Sequence, residues 1–442
     1  MRMIKRLPND KHLNSVIAQV GSSGIAMVSL IILARTMPQE TFGKWGLFLA
    51  VLTFVDHIKS GLVTTALIKY SSGETIEKKE ALLASSWILN LISMGIISVV
   101  CYSILFTGVI KDESISLFLL FYPIYGIISM PYFYNVWNSQ IDINMGRMAK
   151  IRILSSTLFL IVCLISLAFE MTLFQLVAGY VGTFFISSVI SVLTGRTGIN
   201  KLRSNTKNEI KRLYLFGRFH MLVFLGGKML RSSDTFLISA FLGYEALAIY
   251  LIPQRLWMLV IMPLASAVTV CFPIISSNHN NKKYKALKMN IEKYIGVMTL
   301  LYIPFAILLF FLAEPLVLLI GGEKYLAAVE LFRIFLIYSI FVPFDQIMGV
   351  SLDAVDRPNK NFLKVSVMAI VNIVGDLIVL EFYGDIYLVA WVTLATTLSG
   401  VLAGYFMLKE VVNINIISIF KNGYRTLLRF FRHLTKTKSF QF

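Results

Sequence analysis

The sequence predicts an all-α integral membrane protein of about twelve transmembrane helices in two six-helix bundles, and three observations carry that prediction. The first is composition: of the 442 residues, 57% are hydrophobic and 15% charged, with a mean hydropathy of +0.75. A soluble chain carries about 25% charged residues. The second is block length: the apolar residues come in runs of roughly 20, enough for a helix to cross ~30 Å of hydrocarbon. The third is the charge between these runs, which alternates from one loop to the next.

The spans follow in order. A basic start, MRMIKRLPNDKHLN, precedes an apolar stretch reaching Ala34, too long for a secretory core, so 13–35 is expected as a retained first span. The link RTMPQET leads into 43–67, and residues 82–108 and 114–138 follow, joined by the few residues around Lys111. Spans 149–168 and 171–194 meet near Glu170. The longest loop, GRTGINKLRSNTKNEIKR (195–212), divides the chain nearly in half. Beyond it lie 214–241, 245–275, 292–320, 326–351, 362–382 and 386–408, with GGEKY between the ninth and tenth. The tail from Lys409 is basic and amphipathic (IISIFKNGYRTLLRFFRHL) and is expected to form a helix on the inner membrane surface. The expected partition is a first bundle over 1–200, a linker loop over 201–212, a second bundle over 213–408 and a tail over 409–442.

Charge sets the orientation. The N-terminus, the loops near 70–80, 139–152, 195–213, 276–293 and 353–364, and the tail hold most of the 41 Lys and Arg. The opposite loops hold Arg35, Lys44, Lys111 and Lys324. Both termini are therefore expected in the cytoplasm, which requires an even number of spans. The net charge of +17 is accounted for by these short loops. No basic face interleaved with exposed aromatics is present, so nucleic acid is not an expected partner.

Cys101, Cys163 and Cys271 fall inside apolar blocks without metal or disulfide spacing, and no metal or cofactor is expected. No GxxxxGK[ST] loop occurs, so the chain is not expected to hydrolyse nucleotide itself. The outward loops are short, leaving no extramembrane domain for a catalytic site. The chain is expected not to be an enzyme.

The halves show a faint repeat. ARTMPQETFGKWGLF (34–48) aligns with SAFLGYEALAIYLIP (239–253), pairing Pro38 with Gly243, Glu40 with Glu245 and Trp45 with Tyr250. At the same point of two six-helix halves, this suggests parallel repeats about an axis along the membrane normal.

Ionisable residues inside the spans are the candidate functional groups, because a charge at the bilayer centre costs about 2.5–3.5 kcal/mol on insertion scales. The second span carries Asp56, His57 and Lys59. Asp56 and Lys59 lie three residues apart on one face, so they either pair and orient the helix or line a cavity. In the seventh span His220, Phe224, Lys228, Arg231 and Asp234 share one broad face that hydrocarbon does not tolerate. Arg231 has Asp234 as a local partner. Arg255 follows Pro253 in the eighth span, where proline loosens the helical hydrogen bonds. Arg333 lies near the outer end of the tenth span, where it either snorkels or faces inward. Asp345 and Asp376 are polar points in the tenth and eleventh spans, and Arg218 sits at the inner boundary.

The first-span exit ARTMPQETFGKWGLF, the segment SSDTFLISAFLGYEALAIY with Asp234, Gly243 and Tyr250, the segment EPLVLLIGGEKYLAAVELFRIF and the turn DAVDRPNKNF together resemble the polysaccharide transporters of the MOP superfamily. More narrowly they are similar to the Wzx-type O-antigen flippases. The resemblance covers nearly the whole chain. It implies two bundles around a central cavity in a bacterial inner membrane. It also implies movement of an undecaprenyl-pyrophosphate-linked sugar unit from the cytoplasmic to the periplasmic leaflet, with a polysaccharide polymerase and a chain-length regulator as further partners besides membrane lipids. On that reading Lys59, Lys228, Arg231 and Arg255 would line a cationic path for the pyrophosphate. A proton or sodium gradient would act through Asp56, His57 or Asp234. The rival of the same architecture is a MATE-like ion-coupled exporter, whose cavity for organic cations should be acidic. A membrane polymerase or ligase would need a sizeable outward loop, and a lipid II flippase usually has two further spans.

Overall fold

Long apolar runs lacking the alternation of strands fold as helices, which satisfy their own backbone groups within hydrocarbon. The structure, a computed structural model, describes residues 11–71, 74–142 and 144–438. Within its helices the side chains of His220, Phe224, Lys228 and Arg231 lie outside the described residues. The contacts divide the chain into two compact units, Met1–Phe236 and Leu237–Phe442.

The first unit contains α1 (Lys11–Thr36), α2 (Gln39–Ser71), α3 (Ile76–Phe106), α4 (Glu113–Ile128), α5 (Met130–Ile141), α6 (Met145–Ile165) and α7 (Leu173–Leu193). It also holds most of α8 (Lys207–Phe241). Helix starts carry their own chemistry. The Asp112 side chain accepts from the Ile115 amide at 2.9 Å, and Thr172 and Gln175 form a reciprocal capping box. Aromatic rings fill the interior: Trp87 stacks on Tyr134 with centroids 4.1 Å apart, and Trp45 packs on Phe159 and Tyr180.

The second unit contains α9 (Gly243–Asn280), α10 (Tyr284–Phe311), α11 (Ala313–Gly321), α12 (Ala328–Ser339), α13 (Val342–Ala354), α14 (Pro358–Phe382), α15 (Ile386–Lys409) and α16 (Ile416–Lys438). Along the chain, the long helices α1–α3 precede one bent pair and α8–α10 the other, and two straight helices follow each pair. The α4–α5 pair bends by 50° and the α12–α13 pair by 46°. Each second member carries proline in its first turn, Pro131 and Pro343. Proline lacks the amide donor and crowds the preceding turn. The internal repeat read from 34–48 and 239–253 thus recurs in helix order. At its second copy Gly243 takes φ +82°, a left-handed turn that lets α9 start directly after α8.

Helix covers all twelve expected intervals. Among the described residues, eight helices are long and apolar enough to cross a membrane, or up to ten if each bent pair is one span. The expected ninth span starts earlier than read, at Tyr284, and breaks at Leu312 between α10 and α11. Large side chains on α3, α7 and α15 face outward, among them Ile96, Val99, Phe185 and Phe406, as a lipid-facing surface requires.

The expected tail helix is α16, and it packs along α10. A Cβ built on Gly423 would lie 2.4 Å from the carbonyl carbon of Gly296, so the two backbones touch. The Glu292 carboxylate, 2% exposed, accepts from the Asn415 amide at 3.0 Å and from Asn422 Nδ2 at 2.9 Å. Ile416, Ile417 and Phe420 remain as an exposed apolar edge.

Candidate functional site

The first unit holds a polar centre on α2. Lys59 Nζ lies 3.0 Å from Asp56 Oδ1, and the side chains of both are nearly closed off from solvent. Two phenols from α4 complete the carboxylate: Tyr122 donates to Oδ1 at 3.1 Å and Tyr125 to Oδ2 at 3.0 Å. The Lys59 ammonium also lies 5.7 Å from the Phe133 ring centre on α5. Two phenol donors and one ammonium thus meet a single carboxylate in an apolar surrounding. The i, i+3 spacing read from the sequence therefore forms an ion pair, and the two tyrosines lie on a helix that spacing along α2 gave no means of finding.

His57 follows Asp56 in the chain but leaves this centre. It is exposed, with Nδ1 2.6 Å from the Thr53 carbonyl. Asp234 on α8 is half-buried and receives the Ser233 hydroxyl at 3.3 Å. The Lys228 and Arg231 side chains lie outside the described residues. Lys59 belongs to the first unit and Arg255 to the second.

Arg255 is differently placed. It sits in α9, a helix of 38 residues that carries Pro253, Pro263 and Pro273 in its interior. One guanidinium nitrogen lies 3.8 Å from Met258 Sδ. The Nε is buried without a hydrogen-bond partner, and no acid lies within ion-pair distance among the described residues. A guanidinium presents five donors and is never neutral in proteins, so this one offers donors to an anion. Arg333 pairs with Glu330 and lies 5.2 Å from the centre of the Phe310 ring.

The second unit contains a centre that the sequence reading missed. Lys364 closes the basic interval 353–364 expected as a loop. It is in fact 2% exposed in α14, where its ammonium pairs with the Asp345 carboxylate and donates to the Asp345 carbonyl at 2.8 Å. Gly400 makes the room, since a Cβ there would stand 2.7 Å from Asp345 Oδ1. Further along α14, Asn372 Nδ2 donates to Asp376 at 3.1 Å. No spacing within one helix announces a pair whose partners lie on α13 and α14.

These centres can be set beside known proteins. A family model described as polysaccharide biosynthesis protein matches residues 32–330. An uncharacterised membrane protein of Methanocaldococcus jannaschii is 23% identical over 225 residues, 49% of this chain and 44% of the relative. The teichuronic acid biosynthesis protein TuaB of Bacillus subtilis is 25% identical over 225 residues, 48% of this chain and 44% of the relative. The chain thus matches less than half the length of these curated relatives. Among solved structures, the inward closed conformation of the lipid II flippase MurJ superposes with a TM-score of 0.71 at 16% identity, covering 95% of this chain and 92% of that one. An inward-facing MATE multidrug resistance transporter of the MOP superfamily superposes with a TM-score of 0.68 at 14% identity, covering 94% and 98%. At these identities the likeness is one of fold.

Proposed function

From the premise that this chain belongs to the polysaccharide biosynthesis protein family, we propose that it is a flippase for lipid-linked oligosaccharide. In this reading, alternating access moves undecaprenyl-pyrophosphate-linked repeat units of a surface polysaccharide across the bacterial inner membrane. The termini lie in the cytoplasm, and a polymerase and chain-length regulator act on the delivered units.

The observation that carries this reading is Arg255, a half-buried guanidinium in an apolar helix without an acidic partner among the described residues. A cation so placed is costly unless an anion visits it, and a pyrophosphate brings about two charges. Lys59 enters as a second contact that exchanges the Asp56 carboxylate for phosphate during the cycle. Lys228 and Arg231 extend the cationic path along α8. Asp56, His57 and Asp234 are the candidates for ion coupling. The likeness of fold to a lipid II flippase supports the substrate class without fixing the sugar.

The test is complementation of a deletion strain, reading surface polysaccharide together with the leaflet in which lipid-linked units accumulate. Wild-type protein should restore long-chain polysaccharide. Arg255→Ala, inserted at normal levels, should leave single units on the cytoplasmic leaflet, with Arg255→Lys intermediate because an ammonium cannot bind in bidentate fashion. Normal polysaccharide from Arg255→Ala would remove the anion-binding role. Unchanged polysaccharide in the deletion strain with new sensitivity to cationic dyes would establish the exporter reading instead.

A further inference from the structure

The first unit carries a second cationic site, apart from the Asp56–Lys59 centre, at the end of the bundle where α5 and α7 finish and α6 begins. A cavity of about 460 Å³ opens there. Arg147, Lys150 and Arg196 line its polar side, and Ile151, Leu154 and Ile190 its apolar side. Lys150 and Arg196 are exposed and make no ion pair among the described residues. Arg147 meets one acid, Asp142, at 3.4 Å, and its Nε is buried without a hydrogen-bond partner. Three cations thus face one distant carboxylate.

The site is built into the fold. Asn138 Nδ2 donates to the Arg196 carbonyl at 2.8 Å, and Trp87 Nε1 donates to the Thr197 carbonyl at 2.9 Å. These bonds fix the loop that carries Arg196 after α7. Asn135, 2% exposed, also lines the cavity. Its amide orientation is determined by its neighbour: the Thr194 hydroxyl donates to the Ser191 carbonyl at 2.7 Å, so it accepts from Asn135 Nδ2 at 3.3 Å. Asn135 Oδ1 is then left buried with no donor. The cavity therefore asks for an anion together with a hydroxyl.

We infer that this cavity binds the head group of an anionic phospholipid bearing head-group hydroxyls, with an acyl chain running along α7. The phosphate meets Arg147, Lys150 and Arg196, and a hydroxyl donates to Asn135 Oδ1. The apolar lining continues into the outward-facing Ile186, Val189 and Ile190 of α7, a track for hydrocarbon. Basic pockets between spanning helices at the loop level are suited to anionic head groups. An ethanolamine head would bring its ammonium against three cations. A free phosphate would satisfy the cations but neither Asn135 nor the apolar wall. This inference does not depend on the transported substrate.

The test is lipid binding to the purified full chain in detergent, followed by native mass spectrometry and thermal melting. The probes are phosphatidylglycerol, phosphatidylethanolamine and inorganic phosphate. The expected result is retention of one phosphatidylglycerol and little phosphatidylethanolamine, with no displacement by millimolar phosphate. Lys150→Ala combined with Arg196→Ala should weaken phosphatidylglycerol binding by about 25-fold, roughly fivefold per cation. Both side chains are exposed and unpaired, so the melting curve of the lipid-free variant should match wild type. Lys283→Ala with Lys285→Ala, exposed loop cations of the second unit, should leave affinity unchanged. Wild-type affinity in the site variant, equal loss in the control variant, or equal binding of phosphatidylethanolamine would overturn the proposal. Displacement by phosphate would assign the cavity to a soluble anion and overturn the lipid.

Discussion

A buried ion pair is best understood through what each partner would leave behind. Without Asp56, Lys59 keeps, among the described residues, the Phe133 ring 5.7 Å from its ammonium. Without Lys59, Asp56 keeps the hydroxyls of Tyr122 and Tyr125. Breaking a buried pair costs about 3–5 kcal/mol when the survivor is uncompensated. Asp56→Asn should therefore destabilise by about that amount, and Lys59→Met by only about 1–3 kcal/mol, because two donors still hold the carboxylate. The double variant should be more stable than Asp56→Asn alone. Unfolding of the purified variants in detergent measures all three. Equal losses from the two single substitutions would mean the tyrosines contribute nothing. Export separates structure from transport: if Lys59 exchanges its acid for phosphate, Lys59→Met remains folded but does not complement.

At the scale of helices, the sequence was legible where the physics is local. Length and apolarity located a helix in every expected interval, and the three-residue step from Asp56 to Lys59 was readable along one helix. Lys364 was not, because its acid lies 19 residues away on another helix and only packing brings them together. Proline content did not locate the bends either. Pro131 and Pro343 lie at breaks, whereas Pro253, Pro263 and Pro273 lie inside the continuous α9. Neighbouring helices decide whether the freed carbonyls are met or the helix turns. The position of α16 depends on the same kind of non-local contact, through Gly296 and Gly423. Gly423→Leu forces the backbones apart, and overpacking of this kind costs about 1–3 kcal/mol. Tryptic cleavage at Lys421 and Arg425 should then accelerate about tenfold as α16 detaches. Glu292→Gln, which keeps the shape but weakens two hydrogen bonds, should have a smaller effect. Unchanged cleavage in Gly423→Leu would mean the membrane surface, not α10, holds the helix.

At the scale of the whole molecule, charge and helix count make one joint claim. The alternation of basic loops requires an even number of crossings between like-sided loops. By length and apolarity the described helices give eight spans, or up to ten with the bent pairs. Among the described residues α8 is not one of these spans. α8 carries His220, Lys228, Arg231 and Asp234, so its mean apolarity is low although it is long. A helix that polar crosses a bilayer only with its charged face turned to protein or water. Topology therefore tests whether α8 crosses, and with it whether Lys228 and Arg231 are available to a substrate. The three native cysteines are buried, which gives single-cysteine variants a low background. Lys111→Cys and Lys324→Cys replace exposed residues in the sparsely charged loops, and Arg203→Cys and Lys283→Cys replace exposed residues in the basic ones. In intact cells a membrane-impermeant maleimide should label the first two, and the second two only after permeabilisation. If α8 lay outside the bilayer while the other spans held, Lys111 and Lys324 would face opposite sides. Labelling of one but not the other in intact cells would therefore remove the seventh span, and with it the cationic path proposed along it.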